Sequence, residues 1–154
     1  MNHDANPGFL FADIGRLMRQ RFQQQLDHSE LTYAQARALI YISRYPGSRQ
    51  VELAELMEIQ PITLARLIDL LQQQQLVERR ADPRDRRAYR LHTTAAAQNP
   101  LQQIRQIGAG IYEQMMDGLD ARQRDELASS LVQIRSNLSG SQTPASTHPE
   151  PQPI

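Results

Sequence analysis

The sequence has no cysteine, no tryptophan and no lysine; all 17 of its basic residues are arginine. The missing cysteine excludes disulfides, thiol redox chemistry, cysteine nucleophiles and Cys-ligated zinc. Aromatic residues make up only 5% of the chain, so a pocket built from stacked rings would depend on Phe22, Tyr41 or Tyr112. Net charge is missing too, since 17 acidic residues balance the arginines. Whole-chain charge therefore favours neither a polyanionic partner nor its opposite. No apolar run approaches the roughly 18 residues of a membrane helix, and Met1-Asn2-His3-Asp4 lacks the basic start of a signal peptide. An intracellular protein with no membrane partner is expected. The four histidines, His3, His28, His92 and His148, are scattered with no metal-ligand spacing. There is no Gly-rich phosphate loop, and no Ser/His or paired-carboxylate constellation suits catalysis. No enzyme and no cofactor is expected.

What is present is one domain's worth of chain, 154 residues, with differing ends. Residues 1–8 read as a short polar arm. Residues 139–154 hold four prolines and almost no large apolar side chain, so a disordered tail is expected. Between them, Leu10, Ile14, Leu17, Met18, Phe22 and Leu26 recur at helical spacing. Thr32 and Gln35 have capping-box spacing ahead of Leu39, Ile40 and Ile42, and Pro46-Gly47 ends that helix. Val51, Leu53, Ala54, Leu56 and Met57 suggest a short third helix, with Ser48 as its cap. Pro61 suits the first position of a fourth helix carrying Leu64, Leu67, Ile68 and Leu71 inward.

The period then shortens. Residues 76–80 and 88–92 alternate like strands around a polar loop, 81–87, that contains Pro83. Leu101, Ile104, Gly108, Ile111, Met115 and Leu119 mark a further helix, which Pro100 either kinks or begins. Asp120 and Gln123 cap a last helix with Leu127, Leu131, Ile134 and Leu138 on one face. The expected order is four helices, a hairpin and two helices. The apolar faces of the first and last two helices exceed what a small core needs, which suggests a seam between two copies.

Two short helices joined near Glu58-Ile59-Gln60 make a helix-turn-helix, spanning about 50–74. With Leu64, Leu67, Ile68 and Leu71 inward, Gln60, Thr63, Arg66 and Gln73 face outward, and Pro61 and Ile62 lead the helix. Gln suits an adenine edge, Arg a guanine edge, and Thr or Ile methyls a thymine methyl in the major groove. The hairpin, about 76–92, holds Arg79, Arg80, Arg84, Arg86, Arg87 and Arg90 against Asp82 and Asp85, a local +4. An Arg-rich finger suits a minor groove. Asp82 and Asp85 look misplaced beside a polyanion; their expected role is to fix and pre-aim neighbouring arginines.

Leu53-Ala54-Glu55-Leu56, the segment Ile59 to Ile68, and Val77 to Arg87 followed by Leu91 and Thr93 together resemble the MarR family of bacterial transcription regulators. The Gln60-Pro61 pair is most similar to its SlyA branch. The resemblance covers about residues 9–138. It departs at Ala96, where many members have Gly. It implies a mainly α fold, a winged helix-turn-helix flanked by terminal dimerisation helices. Two copies would read a palindromic operator on double-stranded DNA, with Arg86 at the wing tip in the minor groove, Asp82 and Arg84 shaping the wing, and Arg87 beside them. It also implies a cytoplasmic, nucleoid-associated regulator, a repressor or an activator, with a small aromatic carboxylate effector, for which Arg16, Arg19 and Thr32 would line the cleft. A reading of another class remains: a protein-interaction winged helix whose basic wing meets an acidic partner.

Overall fold

A computed structural model of the chain describes residues 6–26 and 29–139. Most of the arm, the tail from residue 140, and His3, His28 and His148 lie outside the described residues, as does the side chain of Arg86. Among the described residues the order is α1 (Pro7–Leu26), α2 (Tyr33–Arg44), α3 (Gln50–Met57), α4 (Pro61–Gln73), β1 (Val77–Asp82), β2 (Asp85–Thr93), a 3-10 turn at Ala95–Ala97, α5 (Gln98–Met115) and α6 (Ala121–Ser139). This is the order that periodicity gives. Two compact units meet at the Gln114/Met115 junction. The first holds α1 to α4, the hairpin and nearly all of α5; the second holds α6.

In the first unit, Leu39 and Ile42 of α2, Leu53 of α3, and Leu64, Ile68 and Leu71 of α4 are fully buried with Val77 of β1 and Leu91 of β2. They form one cluster, which Leu101 and Ile104 of α5 join. Burying each such side chain stabilises the fold by roughly 1.5–3 kcal/mol. The core thus sits directly behind the helix-turn-helix and the root of the hairpin.

Several boundaries differ from expectation, each for a local reason. The helix begins at Pro7, so residues 7 and 8 are not arm: Asn6 accepts the Gly8 N–H through its side chain at 2.8 Å, and Pro7 fills the first helical position. Ser139 belongs to α6 rather than to a tail. The cap of α3 is Arg49, not Ser48: the Glu52 carboxylate reaches back to the Arg49 N–H at 2.8 Å. Pro100 lies in the first turn of α5 and marks its start.

The apolar stripe of α1 is open in the single chain, with Leu10, Ile14, Leu17 and Met18 each at least 40% exposed. On α6, Leu127, Leu131, Ile134 and Leu138 are likewise exposed. Ile104 and Ile111 of α5 differ from the expected seam, because both are buried within the chain itself. Among the described residues no helix is long and apolar enough to cross a membrane.

Candidate nucleic-acid interface

The helix-turn-helix is held from both ends. At its start, α3 carries the Arg49–Glu52 cap. At its end, Glu58 adopts a left-handed conformation (φ 53°), and the Ile59 N–H donates to the Ala54 carbonyl at 3.1 Å. Arg37 of α2 donates to the Met57 carbonyl at 2.8 Å, a cation at the negative end of α3. Gln60 then takes the N-cap position of α4 without a side-chain capping bond, with Pro61 first in the helix. Leu64, Ile68 and Leu71 turn inward, while Gln60, Pro61, Ile62, Thr63, Arg66 and Gln73 are all exposed. Gln60, Pro61, Ile62, Thr63 and Arg66 are thus accessible together in the first turns of α4, while Gln73 is exposed at its far end. Ile62 stands 65% exposed there, an apolar side chain with no core role.

The hairpin is longer and tighter than its sequence suggests. Its strands pair from Val77–Thr93 outward to Asp82–Asp85, with an irregularity between Ala81 and Asp82. The turn shrinks to Pro83-Arg84, so Arg84 is the tip; Arg86 and Arg87 belong to β2 instead of to a loop. What stabilises so short a turn is visible at Asp82. Its carboxylate is buried, accepts the Arg84 N–H at 3.0 Å, and pairs with Arg49 at 2.9 Å and Arg90 at 3.1 Å. Asp85 accepts the Arg87 N–H at 3.0 Å and lies 3.8 Å from Arg49. Arg90 also donates to the Gly47 carbonyl at 2.9 Å. Beside it, the Gly47 N–H meets the Leu91 carbonyl at 2.8 Å, and the Leu91 N–H meets the Ser48 carbonyl at 3.0 Å. The α2–α3 connection thus runs along the edge of the hairpin.

These contacts name the partners of Asp82: the guanidiniums it fixes are those of Arg49 and Arg90, and for Arg84 it holds the backbone. Arg49 was not singled out from sequence, because its partner lies 33 residues away. Only the unexplained acid in a basic loop signalled that some cation must meet it. The other wing arginines divide by position. Arg79 bonds Asp69 and Gln72 of α4, and Arg80 pairs with Glu78. Among the described residues, no ion pair engages Arg84 or Arg87, both exposed near the tip.

The Arg84 N–H, then the Arg49 guanidinium, draw the Asp82 carboxyl down from its usual 3.8 to about 2, and the Asp82 carboxylate raises Arg49 further. A depressed carboxyl pKa contributes stability above its unfolded value and loses it as pH falls through the folded value. The clamp should therefore be intact from neutral pH to about 4 and open between about 4 and about 2. Amide exchange at Arg84 and Leu91, followed across that range, checks this. Protection lost already at pH 5 would contradict it.

The expected effector residues are not gathered. Arg16 pairs with Asp13 at 2.6 Å on exposed α1, and Arg19 is exposed on the same helix. The Thr32 hydroxyl is committed to the start of α2, accepting the Gln35 N–H at 3.3 Å while the Gln35 side chain accepts the Thr32 N–H at 2.8 Å. A groove of about 600 Å³ lies nearby, lined by Leu26, Glu30, Leu31, Gln74, Gln103 and Ile104 among others; neither Arg16 nor Arg19 lines it. Thr32→Ala should cost about 1 kcal/mol through loss of the cap. Urea unfolding measures this, and a wild-type midpoint would show the hydroxyl is not needed there. Among the described residues, no three His, Asp or Glu side chains converge as a metal site.

Residues 29–88, the stretch containing the helix-turn-helix and most of the hairpin, match the MarR family model. The structure superposes on a MarR transcriptional regulator from Methanosarcina mazei Go1 with a TM-score of 0.77 at 25% identity, covering 86% of this chain and 96% of that one. The chain carries the MarR fold. The transcriptional regulator SlyA superposes with a TM-score of 0.71 at 25% identity, over 84% of this chain and 92% of that chain. A cysteine-to-serine mutant of E. coli MarR, complexed with operator DNA, superposes with a TM-score of 0.70 at 22% identity, over 86% and 96%. In MarR terms, α3 and α4 are the helix-turn-helix and the hairpin is the wing. These similarities reach MarR and SlyA alike, so the MarR fold is the level at which the chain is placed.

Proposed function

We propose that this chain is a MarR family transcriptional regulator that binds operator DNA sequence-specifically as a homodimer. The leading end of α4 enters the major groove, and the Arg84–Arg87 end of the wing enters the adjacent minor groove. One observation carries the reading: the helix-turn-helix and the arginine-bearing hairpin are fixed to one another, α4 through Arg79 on Asp69 and Gln72, and the start of α3 through Arg49 on the buried Asp82. A solvated charge run would need no such frame. The open apolar stripes of α1 and of α6 support two copies joined by their terminal helices, which would hold the two recognition helices about one helical turn apart on a palindrome. Occupying a promoter would then repress it, in the bacterial cytoplasm and on the nucleoid.

An aromatic carboxylate effector held by Arg16, Arg19 and Thr32 belongs to the same proposal and has the least geometric support. Calorimetry with benzoate-type acids that gives no heat would retire it.

Selection of bound duplexes from a random pool tests the main reading. A recovered palindrome is the expected result; a pool that stays random overturns it. A dimer touching about 6–10 phosphates should also lose about 10³–10⁵ in affinity between 50 and 200 mM salt. The winged-helix alternative, with the wing on an acidic protein, predicts no enrichment.

A further inference from the structure

The wing carries an aromatic side chain that the core does not use. Tyr89 of β2 is 57% exposed, although it lies only two residues from Leu91, which is fully buried. Register shows where it faces. Tyr89 pairs with Ala81, and Arg79 pairs with Leu91, so Arg79, Ala81, Tyr89 and Leu91 share one face of the hairpin. At the root this face meets the core through Leu91 and, directly opposite it, α4 through Arg79, which bonds Asp69 and Gln72. One step outward brings Tyr89, opposite an alanine too small to cover it.

The strand leaves α4 through a tight turn and runs back beside it, with the Leu76 N–H on the Leu71 carbonyl at 2.9 Å. Tyr89 therefore stands one strand step (roughly 6.6 Å) beyond Arg79, on the face of the wing through which the hairpin meets α4. Arg87 lies two residues further toward the tip, exposed, where the register shifts.

We propose that Tyr89 is a DNA-backbone contact, its ring resting on deoxyribose and its hydroxyl donating to a phosphate. The inference rests on the proposed DNA-binding function. When a helix occupies the major groove and a finger the next minor groove, one sugar–phosphate strand passes between them. That strand is apolar on its sugars and anionic on its phosphates, and an amphipathic ring beside Arg87 matches both. A tyrosine left in water on a strand gains nothing from its ring, whereas here it faces the channel that this strand would occupy.

The test uses the full chain and a mixed-sequence duplex in dilute salt, because a backbone contact does not depend on base order. The chain has no tryptophan, so Tyr89→Trp supplies a single emission reporter. Saturable quenching by duplex is expected. Tyr89→Phe, lacking one hydrogen bond, should weaken binding about threefold to tenfold, and Tyr89→Ala about tenfold or more. Both should leave the slope of log affinity against log salt unchanged, while Arg87→Ala should lower it by about one. Circular dichroism confirms that each variant is folded. If the wild type binds and Arg87→Ala behaves as stated, but Tyr89→Ala binds normally or flattens the salt slope, the inference is overturned and the DNA-binding function stands. Unmoved tryptophan emission does the same. If the wild type ignores duplex altogether, both fall together.

Discussion

Asp82→Ala should weaken duplex binding although it removes a negative charge from the arginine-rich finger. Counting Arg79 to Arg90 against Asp82 and Asp85 gives +4, and the substitution makes it +5. Electrostatic attraction alone therefore predicts tighter binding. The geometry predicts the reverse. Asp82 is buried, holds the Arg84 backbone, and is the shared partner of Arg49 and Arg90. Without it, the two cations repel across an empty site and the two-residue turn loses its brace. A tip free to swing forfeits one or two charge-assisted contacts of roughly 1.5 kcal/mol each, or about tenfold to a hundredfold in affinity. Fluorescence anisotropy with the selected duplex reads this directly. Asp82→Asn, which keeps an acceptor for Arg84 but no charge, should fall between. An Asp82→Ala protein that binds as well as or better than wild type would show that the clamp has no bearing on DNA.

Arg66→Ala should change what is bound more than how tightly. Arg66 is exposed on the α4 surface that also holds Thr63 and Gln60, where a bidentate guanine contact is sterically open. Its loss should cost about 1–3 kcal/mol on the selected palindrome and relax the preference at one position in each half-site. Thr63→Ala should relax a neighbouring position by less. Arg84→Ala is the control of opposite kind. At the wing tip it should weaken all sequences alike and lower the salt slope by about one. Competition between the selected and scrambled duplexes separates these. Equal losses on both duplexes for Arg66→Ala would move Arg66 from base reading to phosphate contact.

The fold was largely legible because its signals are local. Helical stripes, the Thr32–Gln35 and Asp120–Gln123 boxes, and Pro61 at a helix start each require only a few neighbouring residues. The exposed face of α4 follows from the same period. The wing was legible as a hairpin but not in its true length. Prolines and charges read as loop by propensity, yet two carboxylates accepting backbone N–H groups let the strands run out to Asp82 and Asp85. Arg49 was hidden because its role depends on contacts across 33 residues, which no periodicity encodes. Tyr89 was hidden for the opposite reason: its spacing fits a strand, and only register reveals which side it faces. Ile104 and Ile111 fit a seam and a core equally well by pattern, and burial decides for the core.

The stitch between Gly47, Ser48 and Leu91 makes the wing a three-segment ribbon rather than a detachable flap. Its natural unit of exchange therefore begins before α3. A chimera that transplants only residues 77–93 into another scaffold would leave behind both the edge that zips onto Leu91 and the guanidinium that meets Asp82. One that starts at Gly47 carries the whole lever, and the recognition helix and finger should then turn together as a rigid piece.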